Sequence, residues 1–329
     1  MLFLLLVAFQ STLEGRYVLF LLGFVQMYVL SVQHGSITFP RNRGGVFKLS
    51  ADASWILMTG SILHYALFHD LGAILPFYKV GFVLFIVFQF FPLITYRYRT
   101  VKHPYDVPAA SFMLGGAIWG LTSILTSGKA FLHLVFLGFQ IHTFLGCMYF
   151  MLPRFSRRVS YRISMNLAFL TFILTQSAML INFVGFSLNY SYLKVAAVLL
   201  GTGLLLFLFQ MRGVIFNYPI AVGILFFVTA LFFAFNYDRI HHVPFMLLGM
   251  GSFAFGMGKR WYMLNFGRGS SDWDLFYHVS YLSFILTPLS RWFFLSTAVL
   301  FTLWVLANAW SVKNLGREML MSLLNWWRV

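Results

Sequence analysis

Nine histidines carry most of the chemistry open to this sequence. Seven of them, His64, His69, His133, His142, His241, His242 and His278, fall within or beside strongly apolar runs, while no Asp or Glu falls in the middle of one. Imidazole without carboxylate is a poor donor set for calcium or magnesium, which take oxygen ligands, and a good one for haem iron, copper or zinc. The single cysteine, Cys147, excludes an internal disulfide framework, a Cys-ligated iron–sulfur cluster and the paired-cysteine zinc patterns. No Cys-x-x-Cys-His occurs, so a haem here would be b-type, held by axial histidines in an apolar slot. No protease, kinase, phosphate-loop or nucleic-acid motif is present, and no catalytic residue is assigned.

The stretch that must position two of these groups is Lys129 to Phe155, KAFLHLVFLGFQIHTFLGCMYFMLPRF. About 20 apolar residues at 1.5 Å each match the roughly 30 Å hydrocarbon core of a bilayer, and this run is long enough to cross one. In α-helical geometry His133 and His142 are separated by about 13.5 Å of rise and about 900° of rotation, which predicts opposite faces at different depths. Gly138 and Gly146 remove bulk where a neighbouring helix or a flat macrocycle approaches the backbone, and Pro153-Arg154 closes the run.

The whole chain has the same character. Hydrophobic residues make up 60% and charged residues 9%, too little polarity to cover a soluble globule, so the sequence predicts one all-α polytopic membrane domain over residues 1–329. The spans read as Tyr17–Gln33, Asp52–Phe68, Leu71–Tyr96, Val107–Ser127, Lys129–Phe155, Ser164–Phe186, Ser191–Gln210, Pro219–Phe235, His242–Met257, Leu275–Leu289 and Trp292–Trp310. That makes about eleven, or twelve if Met1–Leu13 crosses. Met1–Phe9 is apolar but has neither a basic region before it nor a small-residue cleavage site after it, which favours a retained segment over a removed signal peptide. The formal charge of +15 is concentrated in alternate connections, around Arg41 and Arg43, Arg97 to Lys102, Arg154 to Arg162 and Lys259 to Arg268. That distribution speaks for topology and against nucleic acid. The positive-inside rule places those connections and the carboxyl end in the cytoplasm, with the chain in the cell's plasma membrane.

Residue counts then sort the histidines by depth. His64, His69, His133, His241 and His242 fall in the outer third, whereas His142 and His278 fall near the midplane. Intramembrane ionisable residues are functional candidates by default. The sequence therefore nominates His133 with His64 as ligands of an outer site, His242 as the alternative partner and His241 as a further metal ligand, and His142 with His278 at a midplane site. A partial repeat adds to this: HHVPFMLLGMGSFAFGMGKRWYML echoes the Lys129 stretch in its outer His, Leu-Gly step, second Gly and basic exit. If the repeat is real, His133 and His242 face one shared site.

The segment HLVFLGFQIHTFLGCMYFMLPRF, His133 to Arg154, resembles a membrane segment of small haem-copper oxidase-like proteins, including relatives of the NnrS family and of the main subunit of cbb3-type oxidases. That resemblance implies a many-spanning protein binding haem, and sometimes copper, through histidines near the outer face, in oxygen or nitric oxide chemistry or electron transfer. The full histidine set of a reducing haem-copper centre is not found. The expectation is therefore a protein of a respiratory or electron-transfer system with one or two haems b, copper being a further possible occupant. Quinol or an extracytoplasmic cytochrome, membrane lipid and other membrane subunits are the expected partners. A cofactor-free anchor subunit of a redox complex and a small-solute carrier are the alternatives.

Overall fold

In a computed structural model, the structure describes residues 2–26, 45–92, 94, 106–155, 164–212, 218–236, 239–266 and 274–311. Helices account for the regular structure among them, and no strand occurs. The basic connections at 27–44, 95–105, 156–163 and 267–273, with His34 and His103, lie outside the described residues, as does the chain beyond 311.

Short polar residues set the helix starts. After α1 (Leu2–Phe9), the Thr12 hydroxyl accepts the Gly15 N–H at 3.1 Å and opens α2 (Leu13–Val18), which widens into a π-helical turn over Leu19–Val25. Eight apolar residues make α1 too short to cross a bilayer by itself. Helix α3 (Gly45–Phe68) closes at His69, whose φ of 57° turns the chain, and the Asp70 carboxylate accepts the Ala73 N–H at 3.0 Å to open α4 (Leu71–Phe85). Helix α4 continues as a π-helical Ile86–Phe90. Helix α5 (Asp106–Ser123) precedes the central helix α6, built of α-helical Gly128–His133, π-helical Leu134–Ile141 and α-helical His142–Phe155. Then come α7 (Met165–Ser187, capped by Ser164), α8 (Tyr192–Met211), α9 (Tyr218–Phe235), α10 (Arg239–Phe266), α11 (Asp274–Ile285) and α12 (Trp292–Ser311).

Sequence neighbours pack as hairpins, α3 with α4, α7 with α8, α9 with α10 and α11 with α12, and α5 lies along α6. Among the described residues, five helices are long and apolar enough to cross a membrane: Leu71–Phe90, Gly128–Phe150, Met165–Ser187, Tyr192–Met211 and Tyr218–Phe235. In four of these, 33–39% of the apolar window is buried, the pattern of a helix with one face on its neighbours; in Gly128–Phe150 it is 94%, so α6 is the core around which the others stand. Helix α11, expected over Leu275–Leu289, has 12 residues, about 18 Å, and is too short to cross alone.

The π-helical turns are joined through α6. The Gln140 amide donates to the Leu21 carbonyl and to Gln26 Oε1, both at 3.0 Å, tying the widened turn of α6 to that of α2. Phe139 presents its ring edge-on to Phe90 in the widened turn of α4, at 5.2 Å, and to Phe82 at 5.0 Å. Because π turns close over i→i+5, the 100° step of the α-helix does not hold between His133 and His142. Their neighbours show the result. His133 packs on Phe186 of α7, and His142 packs on Phe112 of α5, which itself meets Phe172 of α7. The two rings meet different neighbours, α7 for His133 and α5 for His142.

Candidate functional site

At the end of the bundle where α2, α6 and α10 begin, a cavity of about 410 Å³ opens between α6, α7, α8, α9 and α10. Its walls are mostly apolar, with Leu132, Leu137, Met179, Leu200 and Leu231; small residues, Ala178, Ala196, Ala197 and Ala234, leave the room. Six polar or ionisable side chains line it beyond those: Glu14, Tyr17, Lys129, His133, Asn182 and His242, with Tyr190 near the rim.

The two histidines are held alike. His133 Nδ1 lies 2.9 Å from the Lys129 carbonyl, one turn back on α6, and its ring rests on Phe186 at 4.8 Å. His242 Nδ1 lies 2.8 Å from the Ala230 carbonyl of α9. A carbonyl oxygen can only accept, so in both rings Nδ1 carries the hydrogen and Nε2 keeps its lone pair. Neither Nε2 has a hydrogen-bond partner among the described residues, and both residues line the cavity. Donating Nδ1–H to a backbone carbonyl is the usual way a protein fixes the tautomer of a metal-ligating histidine.

The other nominated histidines stand elsewhere. His64 is exposed on α3, with its ring against Phe68 at 4.6 Å, and does not line the cavity, which His133 shares with His242. His241, next to His242, turns to Phe233 at 5.1 Å and is exposed. His69 Nδ1 accepts from Gln10 Nε2 at 3.1 Å in the α3–α4 turn. His278 is four residues into α11 and its Nδ1 is 2.6 Å from the Tyr218 hydroxyl. Tyr218 opens α9, thirteen residues or about 20 Å from Leu231 at the cavity, so His278 belongs to the opposite end of the bundle and not to the midplane.

His142 is sealed. It is 0% exposed; its Nδ1 donates to the Leu137 carbonyl at 3.0 Å, five residues back across the π-helical turn, and its Nε2 is buried without a hydrogen-bond partner. The structure does not bring it to His278. The slot that Gly138 and Gly146 open is filled by α5: a Cβ at Gly138 would lie 2.6 Å from Trp119 Cβ, and one at Gly146 would lie 2.8 Å from the Ala109 carbonyl. A neighbouring helix, not a macrocycle, occupies that groove.

Five polar or ionisable residues of the cavity, Glu14, Tyr17, Lys129, Asn182 and Tyr190, are not in the sequence nomination. Glu14 reads as an interruption between apolar runs and Lys129 as the start of a span; their place at the cavity follows from where α2 and α6 begin. Asn182 is a lone amide in an apolar run, the kind of residue that ordinarily bonds a neighbouring helix. Among the described residues no three His, Cys, Asp or Glu side chains come together in a way that could hold a metal ion. Compared with known proteins, the chain matches no family model and no curated protein.

Proposed function

We propose that this chain is an integral membrane protein of an electron-transfer system that binds haem b in the cavity, with His133 and His242 as axial ligands. The observation that carries the reading is that two imidazoles from different helices, each with Nδ1 committed to a backbone carbonyl, line one apolar cavity with Nε2 unclaimed. The residues fit such a group: aliphatic side chains for the faces of a porphyrin, alanines for its area and the Lys129 ammonium to meet an acidic edge. When bound, the haem supplies one-electron chemistry. The chain's own part is to fix the tautomer of both ligands, keep water from the faces of the ring and hold its edge.

In this reading the bundle sits in the plasma membrane and keeps its carboxyl end in the cytoplasm, which puts the cavity in the outer leaflet. A quinol or an extracytoplasmic cytochrome is then the electron partner. The test is a dithionite-reduced minus oxidised spectrum of the purified protein with pyridine haemochrome analysis. The expected result is a b-type band that His133→Ala and His242→Ala each remove from a still-folded protein, and that His64→Ala and His278→Ala leave in place. A colourless wild type, or unchanged spectra in both cavity variants, rules the reading out and leaves a cofactor-free anchor subunit as the better account.

A further inference from the structure

We infer that Arg16 and Arg291 form a site for the phosphate of an anionic glycerophospholipid at the cavity end of the bundle, with the lipid tail lying along α12. The inference rests on the bilayer of the reading above and not on its haem.

The geometry begins at the turn between α1 and α2. Arg16 reaches back from α2 to that turn, its Nε donating to the Gln10 carbonyl at 3.1 Å and its Nη2 to the Ser11 carbonyl at 3.0 Å. Phe9, the residue before Gln10, meets the Trp292 ring edge-on at 5.9 Å, and the Arg291 guanidinium lies over that same Trp292 ring, 5.2 Å from its centre. A pair of touching rings thus brings two guanidiniums to one edge of the bundle. Partial burial, and after it the Arg291 charge, hold the Arg16 guanidinium below the usual arginine range, yet an arginine keeps its charge at neutral pH. Among the described residues neither guanidinium has an acidic partner. Glu14, two residues from Arg16 and so on another face of α2, lines the cavity, and the Asp70 carboxylate, in the turn between α3 and α4, accepts the Ala73 N–H.

Like charges gathered without an acid between them repel, and an anion set between them turns that repulsion into attraction. The arginine fork of N–H groups matches phosphate oxygens. What lies beside the fork selects the anion. Phe9 and Trp292 are 64% and 50% exposed, large rings next to a charge, as in the aromatic belt where a membrane meets water. Beyond Trp292, at helical spacing on the same face of α12, Val299, Leu303 and Leu306 are exposed as well. From Trp292 to Leu306 this stripe runs about 21 Å, more than the roughly 15 Å of hydrocarbon in one leaflet. A free phosphate would use the arginines and leave the stripe bare; a phospholipid covers both.

The experiment takes the full-length protein, purified in mild detergent and stripped of lipid, and titrates it with phosphatidylglycerol and with phosphatidylcholine of the same acyl chains, read by native mass spectrometry. Wild type is expected to hold the anionic lipid at least about fivefold more tightly. Arg291→Gln, which removes the charge from a turn side chain resting on its neighbouring ring, should weaken phosphatidylglycerol about fivefold, the worth of one basic residue at an anionic surface, and leave phosphatidylcholine within about twofold. Arg291→Lys keeps the charge without the fork and should fall between the two. Lys194→Gln, in the first turn of α8, should change neither lipid. A wild type without the preference, or an Arg291→Gln that keeps it, overturns the inference. So does an equal loss in Lys194→Gln, which would make the preference a general effect of positive charge, and so does inorganic phosphate that competes as well as the lipid. None of these outcomes touches the haem reading, which the visible spectrum of the same sample tests separately. A chain recovered in the soluble fraction without detergent overturns both.

Discussion

His133 and His142 lie on the same central helix, and each gives its Nδ1 hydrogen to a carbonyl of that helix, at 2.9 Å and 3.0 Å. Around His133 the neighbouring helices carry alanines and stand back, and the ring opens on a cavity shared with His242. Around His142 the glycines of α5 and α6 bring the backbones together, and the ring is enclosed by Phe112 and the Gly116 backbone. The comparison teaches that locking a tautomer is not enough to make a ligand. The small residues decide it, and they act in opposite senses: alanines around His133 make space, and glycines around His142 let a helix take the space away.

If that contrast is right, the same substitution should cost different things in the two places. His142→Ala is expected to give the largest loss of stability, about 3 kcal/mol, because it removes a fully buried ring together with its hydrogen bond to the Leu137 carbonyl. His133→Ala, at the wall of an existing cavity, should stay within about 1 kcal/mol. SDS-titration unfolding of the two variants checks the difference, and the visible spectrum checks its converse, a band kept in the first and lost in the second. A band lost in a stable His142→Ala would make His142 a ligand after all.

The next largest effect sharpens the same contrast by adding bulk. Gly146→Ala places a Cβ about 2.8 Å from the Ala109 carbonyl, a backbone atom that cannot swing away, and should cost about 1–3 kcal/mol without changing ligand affinity. Ala234→Leu adds bulk to the cavity wall, where there is room, and should leave stability within about 1 kcal/mol while weakening haem uptake at least about tenfold. The paired measurements are unfolding and haem titration on each variant. Reversed results, with Ala234→Leu destabilising and Gly146→Ala blocking uptake, would place the occupied slot against α5.

Much of this contrast was legible in the residues. The apolar excess gave the helical class, the Lys129 stretch marked itself as the central element, and the partial repeat pointed to His242 as a partner for His133. The rest needed geometry that counting does not contain. Depth from residue number assumes straight α-helices of full span length, whereas α11 has 12 residues, which leaves His278 at the Tyr218 end of the bundle. Rotation from residue number assumes 3.6 residues per turn, whereas Leu134–Ile141 is π-helical, so counting alone does not tell that His142 meets Phe112 of α5. His64 has the type and depth of a ligand, but its direction on α3 is fixed by how α3 packs on α4, a tertiary choice.

The smallest expected effect tests whether shape or polar bonding holds the sealed region. Two turns beyond His142, the Tyr149 hydroxyl donates to Gln210 Oε1 at 3.3 Å, and Gln210 Nε2 donates to the Thr171 hydroxyl at 2.9 Å, a chain of polar contacts joining α6, α8 and α7. The same tyrosine ring stacks on Phe112 at 5.3 Å and meets Phe207 edge-on at 5.1 Å, and Phe112 is the ring that covers His142. Tyr149→Phe keeps every ring contact and gives up one long hydrogen bond, so it should cost less than about 1 kcal/mol in SDS-titration unfolding. A cost as large as that of His142→Ala would mean that the polar chain, and not the fit of α5 against the glycines of α6, keeps this region closed. The sealed and open histidines would then differ in what bonds their surroundings rather than in how closely those surroundings can pack.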